Sequence, residues 1–215
     1  MTNRNRRFIV ILCVILLWSV MVPAASLAEE TVQPADSNAL YDTILAQEAQ
    51  WMAGLQFESG AIPMYSQPTN GDSYRVVPYF TNIGMLGLLE AAEYAPVVRD
   101  YMDWYFAHLN RTGDAHTPIG SIYDYYIDPV QDVETPTHDF DSTDSYASTF
   151  LNVVRKYAEV TGDTAYVLAH EQDIRLIADA MLATLQDDSL TWAKPSYPVK
   201  YLMDNSEVYK GLEDM

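Results

Sequence analysis

The stretch FDSTDSYASTFLNVVRKYAEVTGD, Phe140–Asp163, decides the fold class. Its apolar residues recur at the spacing of one helix face, namely at Tyr146, Phe150, Val153, Val154 and Tyr157. The closing TGD supplies a glycine of the kind that ends helices. The pattern therefore predicts a helix that begins near Ser142 and ends before Gly162.

Comparable patterns on both sides predict five further helices, at residues 38–57, 79–94, 95–110, 164–186 and 204–215. Residues 58–78 and 113–141 are rich in turn-forming residues and predict long loops, and SIYDYYID (121–128) predicts a short hairpin. The segment 190–203 contains two prolines and is expected to be extended. No other stretch alternates as a strand does, so the predicted class is all-α.

The predicted helices also follow a rhythm along the chain. Helices after long loops begin near Tyr79, Ser142 and Asp204, in steps of roughly 60 residues, which is typical of an internal structural repeat. The helices between them, 95–110 and 164–186, look more amphipathic. We therefore expect an inner ring of buried helices surrounded by half-exposed ones.

The N-terminus has the pattern of a signal peptide. Basic MTNRNRR precedes an apolar run from Phe8 to Val22, and small residues follow at Ser26 and Ala28. The run is short for a membrane span. We expect residues 1–28 to be removed near Ala28 and the product to be secreted or extracytoplasmic, with residues 29–38 as a polar leader and no membrane association after cleavage.

Charge limits the partners of the mature chain. Cleavage after Ala28 would leave nine basic and 30 acidic residues, a net charge of −21. Such a surface repels nucleic acid and anionic membranes. The one cysteine, Cys13, lies in the predicted signal, so the mature chain is expected to fold by packing alone.

Several motifs in order resemble the six-hairpin glycosidase superfamily, the (α/α)6 toroids: GAIPM, PYFTNIGMLGLL, DSTDSYASTFL, TGD and YLMDNSEVYKGL. The resemblance covers most of residues 39–215. It implies a carbohydrate partner, bound in a cleft where the long loops enter the inner helices. The expected activity is that of an exported glycoside hydrolase acting on a neutral poly- or oligosaccharide.

The six predicted helices are about half of those in a complete toroid. We therefore expect residues 39–215 to form a partial α/α-toroid domain, the N-terminal part of a longer arrangement. An incomplete ring exposes the apolar sides of its inner helices, which favours self-association. Two alternatives to a hydrolase stay open: a non-catalytic remnant that binds glycans or self-associates, and a polysaccharide lyase. The lyase is disfavoured because it needs basic residues against uronic acids.

Two pairs of acidic residues carry the expected chemistry. Asp141 or Ser142 could cap the helix at 142, with Asp144 in its first turn, and DNSE (204–207) is also a capping pattern. The functional alternative places the carboxyls in the cleft, because glycoside hydrolysis commonly needs one protonated and one ionised carboxyl. On that alternative we expect Glu207 to be the acid and Asp144 the base.

The same logic nominates residues that could contact substrate. They lie in the long loops or at the starts of inner helices: Glu58, Tyr79, Asn82, Asp124, Tyr126, Tyr146, Trp192 and Asp204. Each could instead pack within a loop. HDFDSTD (138–144) lacks the glycine and closing glutamate of an EF-hand, and the four histidines share no ligand spacing, so neither a metal nor a cofactor is expected.

Overall fold

The computed structural model describes residues 37–215. Contacts divide the chain into two units, residues 1–43 and 44–215. The predicted signal peptide lies outside the described residues, as do residues 29–36 of the predicted leader. Helix α1 begins at Ser37, so the last two residues assigned to the leader are helical. Within residues 37–215, every helix is too short or too polar to cross a membrane.

The described residues form seven α-helices and three short strands, so the class is mostly α with a small sheet. In chain order they are α1 Ser37–Ala53, β1 Tyr74–Val76, α2 Pro78–Leu88, α3 Ala95–Ala107, β2 Tyr125–Asp128, β3 Val133–Pro136, α4 Thr143–Thr161, α5 Thr164–Ala169, α6 Glu171–Met181 and α7 Leu202–Glu213. One 3-10 turn, Ala92–Tyr94, precedes α3.

Helix α4 is the centre of the second unit. Helices α2, α3, α6 and α7 all pack against it. The predicted apolar stripe is confirmed, because each of its members is buried, and the ring of Phe150 stacks on Tyr105 with centroids 3.6 Å apart. The first turns of α4 bury polar side chains as well, and Gly162 ends the helix with a left-handed φ of 70°. The first half of α4, buried all round from Thr143 to Leu151, thus carries polar groups into the interior.

The sheet is antiparallel in the order β1–β2–β3. The hairpin predicted at 121–128 lies further along the chain, because β2 is within that range but its partner β3 follows it. The addition of β1, with Arg75 opposite Tyr126, was not predicted. This pairing joins the two long loops and places Arg75 near Asp124.

The single helix predicted at 164–186 is wrong. Helix α5 ends at Ala169, α6 begins at Glu171, and residues 182–186 leave the helix. His170 lies at the break, where its ring stacks on Phe106 at 4.2 Å. This tertiary contact, together with the short cap that Asp163 forms with the Tyr166 amide, overrides the continuous helical pattern.

Two predicted inner helices are less enclosed than expected. Phe80 and Ile83 on α2 are about half exposed, and Leu202 and Tyr209 on α7 are mostly exposed. Helix α7 meets α4 through Gly211, where an added Cβ would lie 2.9 Å from the Cβ of Ser148. Within the described residues, only this inward face of α7 is covered tightly.

Candidate functional site

A backbone hydrogen bond to a distant segment, and not a side-chain cap, satisfies the start of α4. Ser142 occupies the N-cap position with extended backbone, but its side chain makes no hydrogen bond to the first amides of α4. The amide of Thr143 donates instead to the carbonyl of Ala193, at 2.6 Å. The predicted cap by Asp141 or Ser142 is therefore wrong, because the 190–203 segment supplies the acceptor.

Asp144 lies in the first turn of α4 and is fully buried. Its Oδ2 accepts a 2.6 Å hydrogen bond from the hydroxyl of Thr191, and its Oδ1 accepts one from the Ser145 amide. Burial, with a smaller contribution from the charge of Asp204, raises the pKa of Asp144 to about 7. The carboxyl thus fastens α4 to the 190–203 segment and exchanges a proton near neutral pH.

Helix α7 begins earlier than DNSE predicted. Tyr201 is at the N-cap, and Asp204 and Glu207 both lie inside the helix. The predicted capping box at 204–207 is therefore wrong. Three residues apart, the two carboxyls share one helix face, which is turned toward α2 and α4.

Glu207 meets α2 through a tyrosine. The hydroxyl of Tyr79 donates a 2.8 Å hydrogen bond to Oε1 of Glu207. The second oxygen, Oε2, is buried and has no hydrogen-bond partner among residues 37–215. Burial is the main reason that the pKa values of both Glu207 and Asp204 are raised, and the charge of Asp204 adds to the effect on Glu207.

The hydroxyl of Ser145 lies between these acids. Ser145 is 2% exposed. Its hydroxyl is close enough to lower the pKa of Asp204 and of Glu207, against the larger effect of burial. Nevertheless, no group in the described part of the chain is placed to form a hydrogen bond with its Oγ. A buried hydroxyl in this state is suited to a bound water or ligand.

Two adjoining cavities open above this cluster. The narrow chamber has a volume of about 370 Å³ and is lined by Tyr79, Asp141, Ser142, Ser145, Tyr146, Tyr201, Leu202, Met203 and Asp204. The wide chamber, of about 890 Å³, shares four of these residues, Tyr79, Asp141, Tyr146 and Met203. The shared wall makes the chambers two parts of one groove.

An ion pair forms part of the wide chamber. Arg75 donates to Oδ2 of Asp124 at 2.7 Å, and the hydroxyl of Tyr146 donates to Oδ1 of the same carboxylate at 2.9 Å. The ring of Tyr146 stacks on that of Tyr79, with centroids 6.2 Å apart. Burial outweighs these partners and raises the pKa of Asp124. Two tyrosines that hydrogen-bond carboxyls thus separate the chambers.

The structure brings together five of the predicted site residues in the lining of the groove: Tyr79, Asp124, Tyr126, Tyr146 and Asp204. Asp144 and Glu207 lie behind that lining and contact it through Ser145 and Tyr79.

Three predicted substrate-binding residues lie elsewhere. Asn82 is a core residue that donates to Thr149 and accepts from Tyr101. Glu58 is exposed in a turn, and Trp192 is half-buried with its carbonyl bonded to Thr184. None of the three belongs to the lining of either chamber.

Sequence reasoning missed Ser145, Arg75 and Tyr201, and it treated Asp141 only as a helix cap. Ser145 and Asp141 flank Asp144 in DSTDS, so their proximity to the site had a local signal. The place of Arg75 depends on the unpredicted pairing of β1 with β2.

The arrangement suits binding of a polar molecule with apolar faces, and it offers carboxyls whose pKa values are raised by burial. Within residues 37–215 there is no group of three or more histidine, cysteine or acidic side chains placed to hold a metal ion. Neither a scan against models of protein families nor a search of curated proteins finds a match to the chain.

Proposed function

We propose that the protein is an exported glycoside-hydrolase-like protein that acts on a poly- or oligosaccharide without anionic groups. We further propose that its helices form part of an (α/α)6 toroid. The observation that carries the proposal is the pair Asp204 and Glu207, two carboxyls of raised pKa beside a tyrosine-lined groove. Tyrosine rings can stack on the apolar faces of sugars.

The proposal assigns the proton donor to Glu207, as the sequence predicted. Its buried environment favours the protonated form, and Tyr79 orients the carboxyl by donating to Oε1. Oε2, the oxygen without a partner, is the one free to carry the proton, and because it is buried behind the lining, the side chain of Glu207 must turn toward the groove to reach a glycosidic oxygen.

The base is assigned to Asp204 in place of Asp144. Asp204 lines the narrow chamber, whereas Asp144 is fully buried and bonded to Thr191. A base must come within hydrogen-bond reach of the proton that it accepts, and Asp204 satisfies this more directly. Asp144 then has a structural role through its hydrogen bonds to Thr191 and Ser145, and the charge of Asp204 contributes to its raised pKa.

The test is hydrolysis by the mature protein of a panel of gluco-, xylo-, manno- and glucosamine oligosaccharides, followed by the appearance of new reducing ends. We expect Glu207→Gln, which preserves shape, to lower turnover by about 100-fold or more. Glu58→Gln, which makes the same chemical change outside the groove, should leave it unaltered. Absence of cleavage across the panel, or full activity in Glu207→Gln, would contradict the proposal.

A second candidate, self-association, is favoured by the exposed face of α7. Leu202, Tyr209 and Leu212 are 86%, 70% and 47% exposed, more apolar surface than one helix normally offers to water. We propose that a second copy of the chain covers this face. Sedimentation velocity should show a concentration-dependent dimer that Tyr209→Lys weakens, and a monomer at all concentrations would contradict it.

A further inference from the structure

Carboxylates without counter-ions face the narrow chamber. Asp141 and Asp204 both line it, and no basic residue of the described chain does so. The charge of Asp141 acts on Asp204. Neither carboxyl has a salt-bridge partner within residues 37–215. Two acidic groups that repel each other across a cavity are stabilised by a bound cation.

The nearest basic side chains are already engaged. Arg75, in the wide chamber, is paired with Asp124. Lys194 bonds to Asp139 and to the carbonyl of Phe140, the residue before Asp141. No basic side chain of the described residues is thus free to face these carboxyls, and a cationic ligand would meet them unopposed.

The other walls fit an ammonium group attached to a larger body. Three tyrosine rings, those of Tyr79, Tyr146 and Tyr201, line the chamber. Aromatic faces attract cations and also pack against the carbon skeleton of a sugar. A bare metal ion would find two carboxyls here, fewer ligands than such ions require.

An independent observation indicates that a ligand completes the chamber. Ser145 lines the chamber and is 98% buried, and its hydroxyl has no hydrogen-bond partner among the described residues. A buried hydroxyl in this state is suited to donate to or accept from a bound molecule. An amine or a ring hydroxyl beside Asp204 would supply that partner.

We propose that the narrow chamber binds a protonated primary amine carried by a sugar ring, between Asp141 and the three tyrosines. The substrate class is then an oligosaccharide that contains amino sugars. This inference rests on the proposed carbohydrate function and specifies its substrate.

The test compares three probes with one skeleton: β-1,4-linked trisaccharides of glucosamine, of N-acetylglucosamine and of glucose. Calorimetric titration of the full chain, with the amine protonated, should give at least tenfold tighter binding of the glucosamine form. Added salt should reduce that preference, because exposed charge pairs are screened. Asp141→Asn should remove most of the preference, and Glu58→Gln, of equal charge change, should retain it.

Failure of this inference can be distinguished from failure of the proposed carbohydrate function. If the glucose and N-acetylglucosamine forms bind as tightly as the glucosamine form, the inference is overturned while the carbohydrate function stands. If no trisaccharide binds, both are overturned. If methylammonium or Mg²⁺ alone binds as tightly as the glucosamine trisaccharide, the chamber is a general cation site and the amino-sugar assignment fails.

Discussion

The hydroxyl of Tyr79 donates a 2.8 Å hydrogen bond to Oε1 of Glu207, and this contact joins α2 to α7 across the floor of the groove. The two residues are 128 positions apart in the chain. The bond orients the carboxyl that we propose as the proton donor, and it ties the position of that carboxyl to the packing of two helices.

Tyr79→Phe tests this contact. Loss of the hydroxyl leaves both oxygens of a half-buried carboxyl without a protein partner, so we expect the free energy of unfolding to fall by about 1–3 kcal/mol. Urea unfolding measures the change. Tyr123→Phe, which removes a longer 3.2 Å bond to Thr117, is the control and should cost less. Equal effects of the two variants would contradict the assigned role of Tyr79.

Stability should depend on pH in a defined direction. The folded-state pKa of Asp144, about 7, exceeds its ordinary value near 4, so the folded chain binds this proton more tightly than the unfolded chain. Stability is therefore expected to rise as pH falls from about 7 toward 4. Asp204 and Glu207, whose pKa values are also raised, act in the same direction.

Urea midpoints between pH 8 and pH 4.5 measure this dependence, and Asp144→Asn should flatten it. Carboxyls with lowered pKa values, such as Asp139, act in the opposite direction, but only as pH falls below about 4. A midpoint that decreases steadily from pH 7 to pH 4.5 would contradict the environment assigned to Asp144.

Thr191→Val tests the link between Asp144 and the 190–203 segment. It removes the 2.6 Å bond to Oδ2 of a buried carboxyl at nearly constant volume. We expect a loss of about 1–3 kcal/mol and a further rise in the pKa of Asp144. Thr191→Ser keeps the hydroxyl and should retain most of the stability. If the serine variant is as unstable as the valine variant, the methyl group rather than the hydrogen bond stabilises the fold.

Gly211→Ala tests the close packing of α7 on α4. The added Cβ would lie 2.9 Å from the Cβ of Ser148 and 3.1 Å from the sulfur of Met181. We expect destabilisation of about 1–3 kcal/mol. Gly84→Ala is the matched control in α2, because its Cβ would meet only Met52 at an ordinary 3.6 Å. Helix propensity should make that control neutral or stabilising, by up to about 1 kcal/mol.

Local patterns predicted most helices of the second unit and the first strand of the hairpin, because spacing and the helix-ending glycine act over a few residues. The stripe of α4 from Tyr146 to Tyr157 is buried as predicted. Capping patterns failed at the starts of α4 and α7. The amide of Thr143 meets the distant carbonyl of Ala193, and α7 begins before DNSE, with Tyr201 at the N-cap position.

The site was predicted only in part for the same reason. Acidic residues near helix starts indicated carboxyls that the structure brings close together, yet which of them reaches the groove depends on contacts between distant segments. Thr191 binds Asp144 across 47 positions, and Arg75 binds Asp124 across 49. Asn82 resembled a cleft residue by its place in α2, but the bonds to Thr149 and Tyr101 put it in the core.

The central claim is that the groove beside Asp204 and Glu207 binds an oligosaccharide. The most direct measurement is NMR of the mature protein labelled with ¹³C in its tyrosine rings, assigned by single Tyr→Phe variants and titrated with the three trisaccharides. We predict saturable chemical-shift changes for the rings of Tyr79, Tyr146 and Tyr201. The ring signals of Tyr166, which packs against α3 and α4 away from the groove, should not change. Shifts at none of the three groove tyrosines would contradict it.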